Sequence, residues 1–193
     1  MFKKFFLLSI LLSFISPIIP SAKAEDVPIF SKSRLIQIGM SKCNLTKNNP
    51  SARSLPYIDK SENTIHWKWE NKRGTWCGWQ TYSLPKNDFS EYLNGVLVLE
   101  FQGTYDGNPP EVKFVDLEGK HTSIVNFGPF MTGDPATGST VKIPFEAFGL
   151  IKESKFAMAN EKKIKALQLN AEYNSDWGNI KISYIGIRYT PNK

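Results

Sequence analysis

The chain has 193 residues and a formal net charge of +6 at pH 7, and 41% of its residues are hydrophobic. This length suits one domain with a sizeable core and leaves little room for a second domain. Because no run of five or six basic residues occurs, the composition gives no indication of a nucleic acid partner.

The first 24 residues have the organisation of a signal peptide. Lys3 and Lys4 precede an apolar run over residues 5–15, and the segment Ala-Lys-Ala at 22–24 resembles a cleavage site. The apolar run is too short to span a bilayer comfortably. We therefore predict an exported protein, secreted or periplasmic, that has no membrane span and folds as a single β-sandwich domain over residues 25–193.

Short blocks with the spacing of β-strands follow one another along the mature chain. In TIHWKWE, Trp67 and Trp69 share one face of a strand, a position typical of core packing. GVLVLEF (95–101) is apolar on both faces apart from Glu100, as expected of a central strand. The other predicted strands are RLIQI (34–38), WQTYSL (79–84), EVKFVDL (111–117), TSIVNF (122–127), TVKIPF (140–145), IKALQLNA (164–171) and NIKISYIGIRY (179–189).

Turn-forming segments such as YDGNPP and YNSDWGN separate these blocks. The best helical segment is KESKFAMANEKK, residues 152–163. Many strands with little helix and no alternation of strand and helix predict an all-β protein, an antiparallel β-sandwich of about nine strands.

Cys43 and Cys77 are the two cysteines of the chain. An exported protein with exactly two cysteines most simply forms one disulfide, and two unpaired thiols are the alternative.

Four blocks of the sequence match a known series of motifs in the expected order. NDFSEYLNGVLVLEFQG (87–103) resembles D-L-S-x-Y-x-x-L-x-F-x-V-K-G, and EVKFVDLEGK (111–120) resembles V-x-L-x-D-x-x-G. VKIPFEAFG (141–149) resembles W-x-x-V-x-I-P-L-x-x-F, and residues 167–189 resemble a closing hairpin that often ends G-x-I-x-I-D-D-I-x-L. The series is similar to that of carbohydrate-binding modules with a galactose-binding-like jelly-roll fold. The resemblance implies a jelly roll whose partner is a polysaccharide or another glycan.

The chain departs from that family where the closing strand usually carries an acidic ligand of a structural calcium. Ser183 and Tyr184 occupy this stretch. Glu25 and Asp26 could supply ligands at the start of the mature chain, but the later acid is missing. We therefore predict no metal and no other cofactor.

Aromatic rings and amides are the side chains expected to bind a sugar, because a pyranose offers a flat apolar face and many hydroxyls. Rings in turn-rich loops are seldom deeply buried, and Gln168 and Asn170 share one face of their strand because side chains alternate. For Trp76 and Trp79, packing against a disulfide through the intervening Cys77 is the alternative. The predicted ligand-binding residues are Trp76, Trp79, Tyr82, Glu100, Tyr105, Phe130, Gln168, Asn170, Tyr173 and Trp177.

Catalysis has little support in the sequence. His66 and His121 have no nucleophile in a recognisable setting. Glu100 with Glu172 or Asp116 could form the carboxylate pair of a glycoside hydrolase, but no spacing argues for it. We predict a non-catalytic carbohydrate-binding protein. The alternatives are an exported interaction module that engages a host or envelope protein through the same rings, and a small hydrolase or lyase.

Overall fold

The computed structural model describes residues 23–44, 52–71, 75–149, 159–171 and 174–191. These residues form twelve β-strands and four short 3-10 helices. The strands are β1 (Glu25–Phe30), β2 (Ile38–Cys43), β3 (Arg53–Asp59), β4 (Thr64–Glu70), β5 (Cys77–Thr81), β6 (Val96–Tyr105), β7 (Glu111–Asp116), β8 (Val125–Asn126), β9 (Met131–Asp134), β10 (Gly138–Pro144), β11 (Ile164–Ala171) and β12 (Trp177–Tyr189). The 3-10 helices are Ser90–Tyr92, Gly128–Phe130, Phe145–Phe148 and Glu161–Lys163.

Two antiparallel sheets pack face to face as a β-sandwich. The larger sheet has the order β3-β4-β12-β6-β10-β9, with β1 pairing along the second half of β12. The smaller sheet has the order β2-β5-β11-β7-β8. The predicted all-β sandwich is therefore confirmed, although the described chain has twelve strands where about nine were predicted.

The core between the sheets contains many aromatic side chains. Trp67 and Trp69 are fully buried, as their alternation predicts, and their rings lie 4.5 Å apart. Each of the two indole N–H groups has a hydrogen-bond acceptor inside the protein. Trp67 donates to the Ser54 hydroxyl at 3.0 Å, and Trp69 donates to the Ser175 hydroxyl at 3.1 Å. The two tryptophans thus link β4 to its neighbours as well as filling the interior.

Three strands have no counterpart in the predicted set, and one is displaced. β1 and β3 contain Pro28 and Pro56, which argue against a central strand but are tolerated at sheet edges. β3 is an edge strand of the larger sheet, and the short β9 lies at the opposite edge. β2 begins at Ile38, where the predicted strand RLIQI ends.

The Cys43–Cys77 disulfide is present and joins two directly paired strands. The two residues face each other across β2 and β5 with a Cα–Cα distance of 4.1 Å. The predicted pairing is confirmed.

The carboxylates at the start of β1 are engaged by side chains of β12. Glu25 accepts a hydrogen bond from the Tyr189 hydroxyl at 3.0 Å, and Asp26 binds the Arg188 guanidinium at 3.1 Å and the Tyr184 hydroxyl. Burial, followed by the hydrogen bond to Asp26, raises the pKa of Tyr184. The two acids considered as calcium ligands therefore hold β1 against β12.

Two sequence predictions fall largely outside the described residues. The signal peptide lies outside them except for residues 23 and 24, and the cleavage site and the single-domain boundary stay predictions. The predicted helix 152–163 lies outside them up to residue 158, and residues 161–163 form a 3-10 helix. Within the described part of the chain, no helix is long and apolar enough to cross a membrane.

Candidate functional site

The outer face of the smaller sheet carries a row of ligand-type side chains along β5. Side chains alternate along the strand, so Trp76, Gly78, Gln80 and Tyr82 lie on the outer face. The neighbouring strand β11 places Gln168 opposite Gln80 and its neighbour Asn170 opposite Gly78. We call this surface the β5–β11 face.

Hydrogen bonds hold the amide side chains of this face in place. The Gln168 amide donates to Asn170 Oδ1 at 2.8 Å, and the Gln80 amide donates to the Tyr82 hydroxyl. The Asn170 amide lies directly over Gly78, where a Cβ would come within 2.4 Å of Asn170 Oδ1. A glycine at position 78 therefore makes room for the amide on top of the sheet.

Accessible apolar surface surrounds these amides. Tyr82 is 51% exposed and Met40 is 52% exposed, Trp76 and Gln168 are half-buried, and Gln80 is buried beneath them. Met40, Trp76 and Gln168 line a shallow depression together with Gln80 and Lys42. An exposed ring next to oriented amides is the combination that a sugar requires, because the ring covers its apolar face and the amides bind its hydroxyls.

The position of Trp79 corrects one predicted contact. Trp79 is three residues from Trp76 and therefore faces inward, where it is 1% exposed and packs edge-on against Trp67 with ring centroids 6.2 Å apart. It belongs to the core, and the prediction that it contacts a ligand is wrong.

Asn170 needs a second correction. It lies on the predicted face beside Gln168, and Leu167 and Leu169 point into the core as the alternation predicts. However, Asn170 is fully buried, so it supports Gln168 and does not itself contact a ligand.

Glu100 lies on the opposite side of the molecule. It is exposed on the outer face of the larger sheet, where its cross-strand neighbours are Thr140 on β10 and Tyr184 on β12. It lines a groove of about 280 Å³ together with polar residues such as Lys181. The one aromatic residue of that groove, Phe101, is 3% exposed, so the groove offers no ring for stacking.

The three predicted loop rings lie near the rim of the larger sheet. Trp177 is 47% exposed, whereas Tyr105 and Phe130 are half-buried and pack against the core. Tyr105 pairs with Gly178, next to Trp177, and burial raises the pKa of its hydroxyl. Tyr173 lies outside the described residues.

The structure thus divides the predicted residues among separate places. Trp76, Tyr82 and Gln168 lie on the β5–β11 face, with Asn170 beneath them. Gln80, Met40 and Lys42 complete this face and are not among the predicted residues. Alternation places Gln80 on the same face as Tyr82, but Met40 and Lys42 required the correct position of β2.

Solved structures with the same fold include two kinds of carbohydrate-binding module from Clostridium thermocellum. A family 11 module in complex with a β-1,3-1,4-mixed-linked tetrasaccharide is 13% identical, with a TM-score of 0.59 and coverage of 87% of this chain and 98% of that one. The chain has the jelly-roll β-sandwich fold of these modules. A family 30 module of a cellulosomal cellulase is 19% identical, with a TM-score of 0.59 and coverage of 84% and 96%.

The fold also occurs as part of a larger enzyme. A β-1,2-glucanase from Parabacteroides distasonis is 14% identical, with a TM-score of 0.51, and the match covers 86% of this chain but 22% of the glucanase. No family model and no curated protein sequence matches the chain. These likenesses establish the fold, and the predicted resemblance to carbohydrate-binding modules is confirmed at that level.

Proposed function

We propose that the chain is a secreted, non-catalytic protein that binds a polysaccharide along the β5–β11 face. The observation that carries this proposal is the exposed Tyr82 ring beside the half-buried Gln168 amide, with the buried Gln80 amide donating to the Tyr82 hydroxyl. The same fold in a module complexed with a mixed-linked tetrasaccharide supports a β-glucan as the first ligand to test.

The spacing of the rings favours a polymer over a single sugar. Trp76 and Tyr82 are six residues apart on one face, which corresponds to about 20 Å along an extended strand. Covering one ring contributes about 2.5 kcal/mol for about 100 Å² of apolar contact, whereas association itself costs at least about 4 kcal/mol. A ligand must therefore reach both rings and the amides between them, so affinity should rise with chain length.

The positions of the carboxylates favour binding without hydrolysis. Glu100 lies on the outer face of the larger sheet, whereas Asp116 is fully buried at the end of β7 in the smaller sheet. Asp116 accepts hydrogen bonds from the backbone N–H groups of Glu118, Lys120 and Asn160. A hydrolase pair needs two carboxyl groups on one sugar, so these two groups are not arranged for it.

Export is supported by the predicted signal peptide and by the disulfide. Disulfides persist in secreted and periplasmic proteins and are rare in the cytosol. Cys77 directly follows Trp76 in the sequence. Its bond to Cys43 anchors β2, which contributes Met40 and Lys42 to the face. An oxidising compartment would therefore preserve the binding surface.

Affinity electrophoresis and titration calorimetry with mixed-linked β-1,3-1,4-glucan, its tetrasaccharide and glucose test the proposal. We expect binding of the polymer and the tetrasaccharide and none of glucose. A blank across these ligands, a glycan array and insoluble polysaccharides would refute it. Protein partners that no sugar displaces in a pull-down would select the interaction-module alternative instead.

A further inference from the structure

A histidine and two carboxylates meet at the hairpin that joins β3 and β4. His66 Nε2 lies 3.9 Å from Asp59 Oδ2 and 3.8 Å from Glu62 Oε2. The ligand-type atoms of the three residues all lie within 4.8 Å of one another. This hairpin cluster is on the larger sheet, away from the β5–β11 face.

The hairpin fixes the direction of each group. Asp59 Oδ1 accepts hydrogen bonds from the backbone N–H and hydroxyl of Ser61 at 2.8 and 2.6 Å, which leaves Oδ2 facing the histidine. The turn, with Asn63 at φ 52°, brings Glu62 back over β4. The Tyr57 ring stacks on the imidazole at 4.9 Å and holds its plane.

The imidazole nitrogen that faces the carboxylates has no hydrogen bond within the described residues. His66 Nε2 is buried, and its two carboxylate neighbours are beyond hydrogen-bonding distance. A buried polar atom without a partner is costly and calls for an explanation. A cation between the three groups would give that nitrogen a partner.

The donor set and its dimensions suit a divalent transition metal. Zinc binds imidazole nitrogen and carboxylate oxygen at about 2.1 Å in tetrahedral geometry, which places ligand atoms about 3.4 Å apart. The histidine nitrogen lies 3.8 and 3.9 Å from the carboxylate oxygens, and the three atoms lie within 4.8 Å of one another, so the carboxylates must move closer, which the exposed Glu62 side chain permits. Magnesium and calcium prefer sites made of oxygen alone.

A lysine competes for the same place. Lys181 of β12 is paired with His66 across the sheet, and its ammonium group binds Glu62. This positive charge neutralises one ligand and repels an incoming cation. Removal of the lysine charge should therefore strengthen metal binding. If Lys181 only stabilised the hairpin, its removal would weaken metal binding.

We propose that Asp59, Glu62 and His66 form a binding site for one divalent transition-metal ion of the zinc type. Three protein ligands leave a fourth position for water or for an oxygen of another molecule. The site is independent of glycan binding, since it lies on the other sheet.

Titration calorimetry of the chelator-treated full chain with zinc tests the site, with thermal unfolding as a second measurement. We expect one equivalent of zinc to bind in the micromolar range, to raise the unfolding temperature, and to resist competition by magnesium. H66Q should weaken binding by at least about 10-fold, and K181M should tighten it about 5-fold. H121Q removes the other histidine of the chain and is the matched control, which should bind zinc as the wild type does.

Two results would overturn the proposal. One is the absence of stoichiometric zinc binding to the wild type. The other is equal binding by the wild type and H66Q, with loss in H121Q. Intrinsic tryptophan fluorescence and the unfolding temperature of each metal-free variant check that the fold is retained, because Trp67 and Trp69 adjoin His66 on β4 and report on the core.

Discussion

Replacing Tyr82 by alanine removes the most exposed ring of the β5–β11 face. The residue is 51% exposed, and an aromatic side chain has about 200 Å² to bury, so about 100 Å² is available to a ligand. At about 25 cal/mol per Å² this contact contributes about 2.5 kcal/mol. We therefore expect Tyr82→Ala to weaken binding of mixed-linked β-glucan by about 60-fold.

Tyr57 provides a matched control for this substitution. It is 54% exposed, close to the value for Tyr82, but it lies on the larger sheet beside His66. Tyr57→Ala should leave glucan affinity unchanged. Titration calorimetry of both variants measures the difference, and equal losses, or a loss confined to Tyr57→Ala, would refute the assignment of the face.

Three further predictions concern the support of the face and the fold. Gly78→Ala places a Cβ 2.4 Å from Asn170 Oδ1 and 2.6 Å from a backbone oxygen. The variant should therefore be less stable by about 1–3 kcal/mol in urea unfolding and should bind glucan more weakly. Unchanged stability would contradict this packing of Asn170 over Gly78. Asp116→Asn removes a carboxylate that accepts three backbone hydrogen bonds of 2.9–3.1 Å and should cost about 2–3 kcal/mol. Although burial opposes the charge of Asp116, these three donors hold its pKa below the usual 3.8. The free energy of unfolding of the wild type should therefore decrease as the pH drops below that value. The Asp116→Asn variant should lack this pH dependence. Exchanging Cys43 and Cys77 for serine opens a loop with a sequence separation of 34 and should cost about 4 kcal/mol; an unchanged denaturation midpoint would contradict this.

Local alternation predicted much of the smaller sheet. Gln168 was placed on the outer face because its leucine neighbours must be buried, and the structure agrees. The same rule applied to β5 separates Trp76 from Trp79, since residues three apart on a strand point to opposite faces. The correction at Trp79 was therefore within reach of the sequence once the strand was recognised.

Other features depend on contacts between distant parts of the chain. Glu100 was predicted as a ligand-binding residue on a central strand, but which of two sheets receives that strand is decided by its pairing with β10 and β12. β3 was hidden because Pro56 interrupts its pattern. Without β3 and its turn, the approach of Asp59 and Glu62 to His66 could not be predicted.

Glycan binding at the β5–β11 face can be located by mapping backbone and side-chain NMR shifts during titration with a mixed-linked β-1,3-1,4-tetrasaccharide. We expect the shifts to concentrate on the indole of Trp76, on Tyr82 and on the amide of Gln168. Shifts confined to the groove around Glu100 and Lys181 would contradict it.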